Sequence, residues 1–369
     1  MAELDIGIGK SGRRAYGLDE VAIVPSRRTR DPLDVDTGFF LDGYHFDLPL
    51  LSAALDSVTS PQTAIDIAKY GGLGVLNLEG LWTRYEDPET LLAHIAALPE
   101  DKATAELQRI YSRPVNPDLV GARVEQMHQA GVTTAGSLTP QSVERLHSVA
   151  LEAGLDVLVI QGTVVSAEHV SSRSEPLNLK DFIARYDIPV VVGGCASYAS
   201  ALHLMRTGAA GILVGVGTGN AGTTRTVLGL GVGQATAIAD AAGARSRHLE
   251  ETGRHVQIIA DGGIRTGGDV AKAIAVGADA VMLGEPLART TDSPGGGSHW
   301  ANAATHAAVP RGGLQRVDTI GTLAEVLGGP ASSGDGSTNI FGALARAMAL
   351  SGCASIRELQ RAEVTISPG

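Results

Sequence analysis

Cysteine is almost absent from this chain. Its two residues in 369, Cys195 and Cys353, lie too far apart to suggest a disulfide framework. No CxxC, HExxH or EF-hand spacing occurs, so no metal site is expected. Basic clusters are equally scarce: only Arg27, Arg28 and Arg30 fall together, and the net charge is -11. That balance argues against a nucleic-acid partner, which needs a positive footprint. No run of about 18 apolar residues could span a bilayer, and the start shows no signal-peptide pattern. What remains, at 44% hydrophobic and 19% charged, is an ordinary globular composition with enough chain to bury a large core, and a cytoplasmic location is expected.

Short apolar runs at 48–54, 73–76, 132–137, 156–161, 188–193, 210–215, 256–261 and 279–284 read as eight strands. Helical patterns separate them, among them 61–70, 140–153, 197–207, 232–251 and 267–276. The strands lack polar alternation, as strands buried on both faces do, so eight βα units point to a closed parallel barrel, an α/β (β/α)8 TIM barrel, over an open doubly wound sheet. One domain, 1–369, is expected. Residues 84–131 read as a helix at 88–98 and a second around 118–130 with polar residues between, too short for an inserted domain. The Gly- and His-containing 293–308 reads as a mobile loop, followed by short helices at 321–329 and 342–351.

The most informative stretch is 215–225, GVGTGNAGTTR, between an apolar strand and a long helix. Gly215, Gly217, Gly219 and Gly222 leave the backbone open to a bound group. A strand-to-helix connector is the plain reading, but eleven residues without regular character are long for one. In a barrel the site lies at the C-terminal strand ends, with phosphate commonly held after strands seven and eight; here those ends are Asp261-Gly262-Gly263-Ile264 and Gly284-Glu285.

Five motifs carry a resemblance: LPLLSAALDSVT (48–59), GGLGVL (71–76), GVGTGNAGTTR, IADGGIRTGGDVAKAIAVGADAVMLG (259–284) and ALARAMALSGC (343–353). In this order they make the chain resemble the IMP dehydrogenase / GMP reductase family over nearly its whole length, most closely its short members without the inserted regulatory CBS pair. The resemblance implies a barrel without that insertion, a homotetramer, a purine nucleoside monophosphate such as IMP, XMP or GMP as ligand, and NAD(P) as redox partner in guanine nucleotide synthesis. It places the ribose on Asp261, the phosphate on the backbone of Gly263 and Gly284 beside Gly262 and Glu285, and ribose and base packing on Ser52 and Leu55. Carbonyls of Gly217, Gly219 and Gly222 correspond to a monovalent-cation site.

Several positions depart from the pattern. The family's loop cysteine, which attacks C2 of the purine, is Gly222 here, with Thr223 and Thr224 kept; glycine cannot form the covalent adduct. The strand-four aspartate that helps hold the nicotinamide ribose is Gln161, followed by Gly162, and the Gly-Asn after strand five is Gly194-Cys195. Cys195 is the alternative thiol, although a cysteine at a strand end is more often a small buried hydrophobe. The flap, 292–311, is shortened and lacks its Arg-Tyr pair, and the EGxEG motif near the purine begins with Arg311. Where the family has Ser after the strand-eight glycine, Glu285 would repel a phosphate unless paired. The expectation is a nucleotide-binding protein without standard IMP dehydrogenase turnover, a pseudoenzyme; the alternative is an active NAD(P)-dependent oxidoreductase using another mechanism.

Overall fold

The computed structural model describes residues 3–172 and 176–366. Eight parallel strands form one sheet: β1 Leu50–Ser52, β2 Val75–Asn77, β3 Ala135–Leu138, β4 Val157–Gln161, β5 Val190–Cys195, β6 Gly211–Val214, β7 Gln257–Asp261 and β8 Ala280–Leu283. From β2 to β8 each pairs with the next in sequence, and β8 pairs with β1. A bridge between Leu51 and Leu73 joins β1 to the approach to β2 and closes the ring. This is the (β/α)8 barrel that the run of apolar segments predicts.

Alternation along each strand decides which layer a side chain fills. Val157 and Val159 belong to the cluster inside the barrel with Leu51, Leu213, Ile259 and Met282, whereas Leu158 and Ile160 pack outward with the helices. Both sets are apolar because both faces are buried, and full burial of one such side chain contributes roughly 1.5 to 3 kcal/mol. A hairpin, Phe39–Leu41 with Tyr44–Phe46, adds Phe39, Leu41 and Phe46 to the inner cluster. The Tyr44 hydroxyl donates to Asp156 just before β4, so the hairpin stops the N-terminal end and leaves the other end for ligands.

The helices start where the sequence supplies caps. Ser60 and Thr266 each form a capping box at the helices Pro61–Lys69 and Gly267–Ala275, satisfying amide donors that the helix cannot. Buried Arg245 and Asp279 join the long helix Gln234–Thr252 to the start of β8, with the Arg245 guanidinium beside the Asp279 carboxylate at 2.5 Å.

Three local expectations change. Residues 84–131 hold three helices, the additional one being Glu100–Tyr111. Its charged sequence reads as a polar connection, yet Ala103, Leu107 and Ile110 recur at helical spacing and are buried. The Gly-rich stretch is not irregular throughout, since Thr224–Leu228 forms a short helix. The segment read as a mobile loop is packed at its start: Ser298–His299 pairs with Gln315–Arg316 and Trp300 is buried, leaving 306–310 exposed.

Candidate functional site

A cavity of about 520 Å³ opens at the C-terminal mouth of the barrel. Its floor is made by side chains from strands on opposite walls. Gln161, the last residue of β4, reaches across so that its amide nitrogen donates to the carboxylate of Asp261, the last residue of β7, at 3.1 Å. Burial pushes the Asp261 carboxyl up to about 6, partly opposed by the Gln161 hydrogen bond. Beyond Asp261, Gly262 and Gly263 turn with φ of +90° and +76°, a region glycine enters without steric cost. Among the described residues their N–H groups make no intramolecular hydrogen bond, and they line the cavity with Gly284. Free amides at such a turn are ready to donate hydrogen bonds to an anion.

The Gly-rich loop forms one wall. A side chain at Gly217 would place its Cβ 2.4 Å from the Leu230 carbonyl oxygen, so glycine is required there by close backbone packing. Gly222 is different. A Cβ there would meet only the Thr224 hydroxyl, at 3.7 Å, so the missing side chain is replaced by open space and not by another group. Thr223, between them, sits in the left-handed region at φ 40°, a strained conformation for a β-branched residue.

Arg311 lines the same cavity. Its guanidinium donates to the hydroxyls of Thr224 at 3.2 Å and Thr163 at 2.7 Å. The backbone that carries it is pressed onto the loop, because a Cβ at Gly312 would fall 1.8 Å from the Ala221 carbonyl oxygen.

The other expected residues are divided. Leu55, Gly162 and Glu285 line the cavity, and the Glu285 carboxylate accepts from the Asn220 amide at 3.0 Å, which turns part of its charge toward the loop. Ser52 does not reach the cavity: it is fully buried, its hydroxyl oxygen accepting from the Val75 amide and the Thr59 hydroxyl, and so ties β1 to β2. Cys195 is also misplaced as a site residue. Its side chain belongs to the outer layer between strands and helices, and burial pushes its thiol up to about 12, so it offers neither thiolate nor contact with ligand.

Nothing local in the sequence singles out Tyr111, which the additional helix Glu100–Tyr111 brings to the cavity rim. Its hydroxyl donates to fully buried Asp56 at 2.5 Å and accepts from the Trp300 indole at 3.0 Å. Burial raises the Asp56 carboxyl to about 6 and holds the Tyr111 hydroxyl well above the ordinary range. His299 sits alongside, its Nδ1 3.0 Å from the Ser57 hydroxyl. This network anchors the stem of the shortened flap to the loop after β1. An LDS triplet and a tryptophan about 240 residues apart carry no local signal of it.

The model of the IMP dehydrogenase / GMP reductase domain matches residues 15–312. The chain belongs to the IMP dehydrogenase / GMP reductase family. It is 49% identical to an uncharacterized oxidoreductase of Mycobacterium tuberculosis over 98% of this chain and 99% of that one. It is 31% identical to the inosine-5'-monophosphate dehydrogenase of Borreliella burgdorferi, covering 77% of this chain and 72% of that one. A crystal structure of an IMP dehydrogenase/GMP reductase-like protein from Corynebacterium glutamicum superposes with a TM-score of 0.94 at 43% identity, covering 99% and 98% of the two chains. Among the described residues no helix is long and apolar enough to cross a membrane, and no group of His, Cys, Asp and Glu is arranged to hold a metal ion.

Proposed function

We propose that the chain binds a purine nucleoside monophosphate at the barrel mouth and does not turn it over by the covalent route of IMP dehydrogenases. The observation that carries this reading is the split character of the cavity. Asp261, Gly262, Gly263 and Gly284 keep a carboxylate and free backbone amides for ribose and phosphate, while the wall at Gly222 has open space where the attacking thiol would stand. The residues do not fit a nicotinamide ribose in the family's manner: Gln161 spends its amide on Asp261, and Cys195 faces away from the cavity. A monovalent cation on the carbonyls of Gly217, Gly219 and Gly222, a homotetramer and a cytoplasmic role in guanine nucleotide metabolism belong to the same proposal.

The mycobacterial relatives are named oxidoreductases, which favours a second reading in which this chain is one too; we would then take it as NAD(P)-dependent and acting on IMP or GMP by another mechanism. Calorimetric titration with IMP, XMP and GMP, together with assays of IMP oxidation and GMP reduction over NAD and NADP, separates the two. The expected result is binding without turnover above background. Gly222→Cys should fold, since the space exists, and should still give no XMP, because Gln161 and the flap remain changed. Robust XMP formation by the unaltered protein would refute the proposal.

A further inference from the structure

Arg311 does something in the cavity that a nucleotide site of ribose and phosphate contacts does not use. It lines the cavity beside Gly222, on the β4 and β6 side, whereas Gly284 follows β8 on the opposite wall. Two of its five N–H donors are taken, by Thr163 and Thr224. Those hydroxyls accept from the guanidinium and so keep their own hydrogens for donation. Among the described residues no carboxylate lies within ion-pair distance of it. The three carboxylates that line the same cavity are turned to other partners: Glu79 to the Thr139 amide at 2.6 Å and the Ser142 hydroxyl, Asp261 to Gln161, and Glu285 to Asn220. The result is a fixed, unneutralised cation flanked by two hydroxyl donors in the cavity that Gly222 also lines. A planar fork of this kind is suited to anionic oxygen and gives nothing extra to an uncharged C–H edge.

We infer that Arg311, with Thr163 and Thr224, is a specificity-determining anion subsite that selects a purine nucleotide whose base itself carries an ionised oxygen, as a xanthine ring does, over one with a neutral hypoxanthine ring. The inference rests on the nucleotide reading above and adds the identity of the base. A phosphate held at Gly263 and Gly284 leaves the base end of the ligand as the part that extends toward the opposite wall. Gly222 carries no side chain to keep the ring from the guanidinium.

The test is calorimetric titration of the full chain with XMP and IMP, which differ at the ring position in question, at mildly alkaline pH and then at falling pH. XMP should bind at least about tenfold tighter than IMP, the scale of one charge-assisted hydrogen bond. The advantage should fade as acid protonates the xanthine ring. Arg311→Gln should erase the discrimination, XMP losing more affinity than IMP, while Arg311→Lys, which keeps the charge without the fork, should retain part of it. Equal binding of IMP and XMP by the parent, or a preference that is indifferent to pH or survives Arg311→Gln, overturns the assignment and leaves the nucleotide reading standing. If none of IMP, GMP and XMP binds the folded parent, the nucleotide reading falls and takes this assignment with it. Should Arg311→Gln fail to fold, the pH series on the parent and the lysine variant still decide.

Discussion

Asp261 should make the unliganded protein less stable and the liganded protein possible, and one substitution separates the two effects. Its carboxyl rises from 3.8 to about 6 because burial penalises the charged form and the single Gln161 hydrogen bond offsets only part of that. The displacement corresponds to an upper bound of about 2 to 3 kcal/mol against folding when the group is ionised. The folded pKa is raised, so the folded carboxyl takes up its proton first as pH falls: the penalty is complete above about pH 6 and fades between 6 and 3.8. Asp261→Asn removes the charge while its amide oxygen still accepts from Gln161. The apo protein should then melt a few degrees higher at neutral pH, with the gain vanishing near pH 4. Binding moves the opposite way. A carboxylate accepting from two ribose hydroxyls makes charge-assisted bonds, each worth roughly 1.5 to 3 kcal/mol, so Asp261→Ala should weaken a purine monophosphate at least tenfold. Thermal melts across pH and calorimetry on both variants measure this. Unchanged affinity for the alanine variant, or an asparagine variant no more stable than the parent at neutral pH, would refute the reasoning.

Glu285→Ser should tighten monophosphate binding several-fold at low salt, because the carboxylate lines the cavity beside Gly284, where the proposed phosphate sits, and Asn220 neutralises none of its charge; weaker or equal binding would show that the carboxylate points away in the complex. Cys195→Ala should leave nucleotide affinity unchanged at a cost of about 1 kcal/mol in stability, and thiol reagents should not modify Cys195 in the native protein; ligand-protected alkylation at that residue would contradict its position behind the barrel wall.

The barrel was legible because its physical cause is written locally. Strands buried on both faces must be apolar at every position, as Val157 to Ile160 are, and Gly253, at φ +72°, closes the long helix Gln234–Thr252. The turn after Asp261 was legible for the same reason: glycines that need positive φ follow it directly in sequence. The helix Glu100–Tyr111 was not, since its three buried residues are outnumbered by charged and polar ones and only tertiary packing shows which face they take. Tyr111, Asp56 and Trp300 meet only once the chain has closed the barrel. Ser52 and Cys195 failed in the opposite direction. A motif fixes their place on a strand, but period two decides whether a side chain enters the cavity or the wall, and one position changes the answer.

Read singly, Gln161, Gly222 and Arg311 are losses, and a barrel that had merely kept its loops would show such losses independently of one another. The geometry relates them. Gln161 supplies the hydrogen bond that the half-buried Asp261 carboxylate needs, which an aspartate on β4 would have replaced with like-charge repulsion. Gly222 leaves open space in the cavity that Arg311 also lines, and Arg311 is held by Thr224 of the same loop and by Thr163, two residues beyond Gln161. Two of the three changes, Gln161 and Arg311, are thus met by polar partners, although buried polar groups without partners would cost roughly 1 to 3 kcal/mol each. A cavity maintained at that level of polar pairing, around a carboxylate whose burial itself opposes folding, is better explained by a ligand that uses it than by inheritance alone.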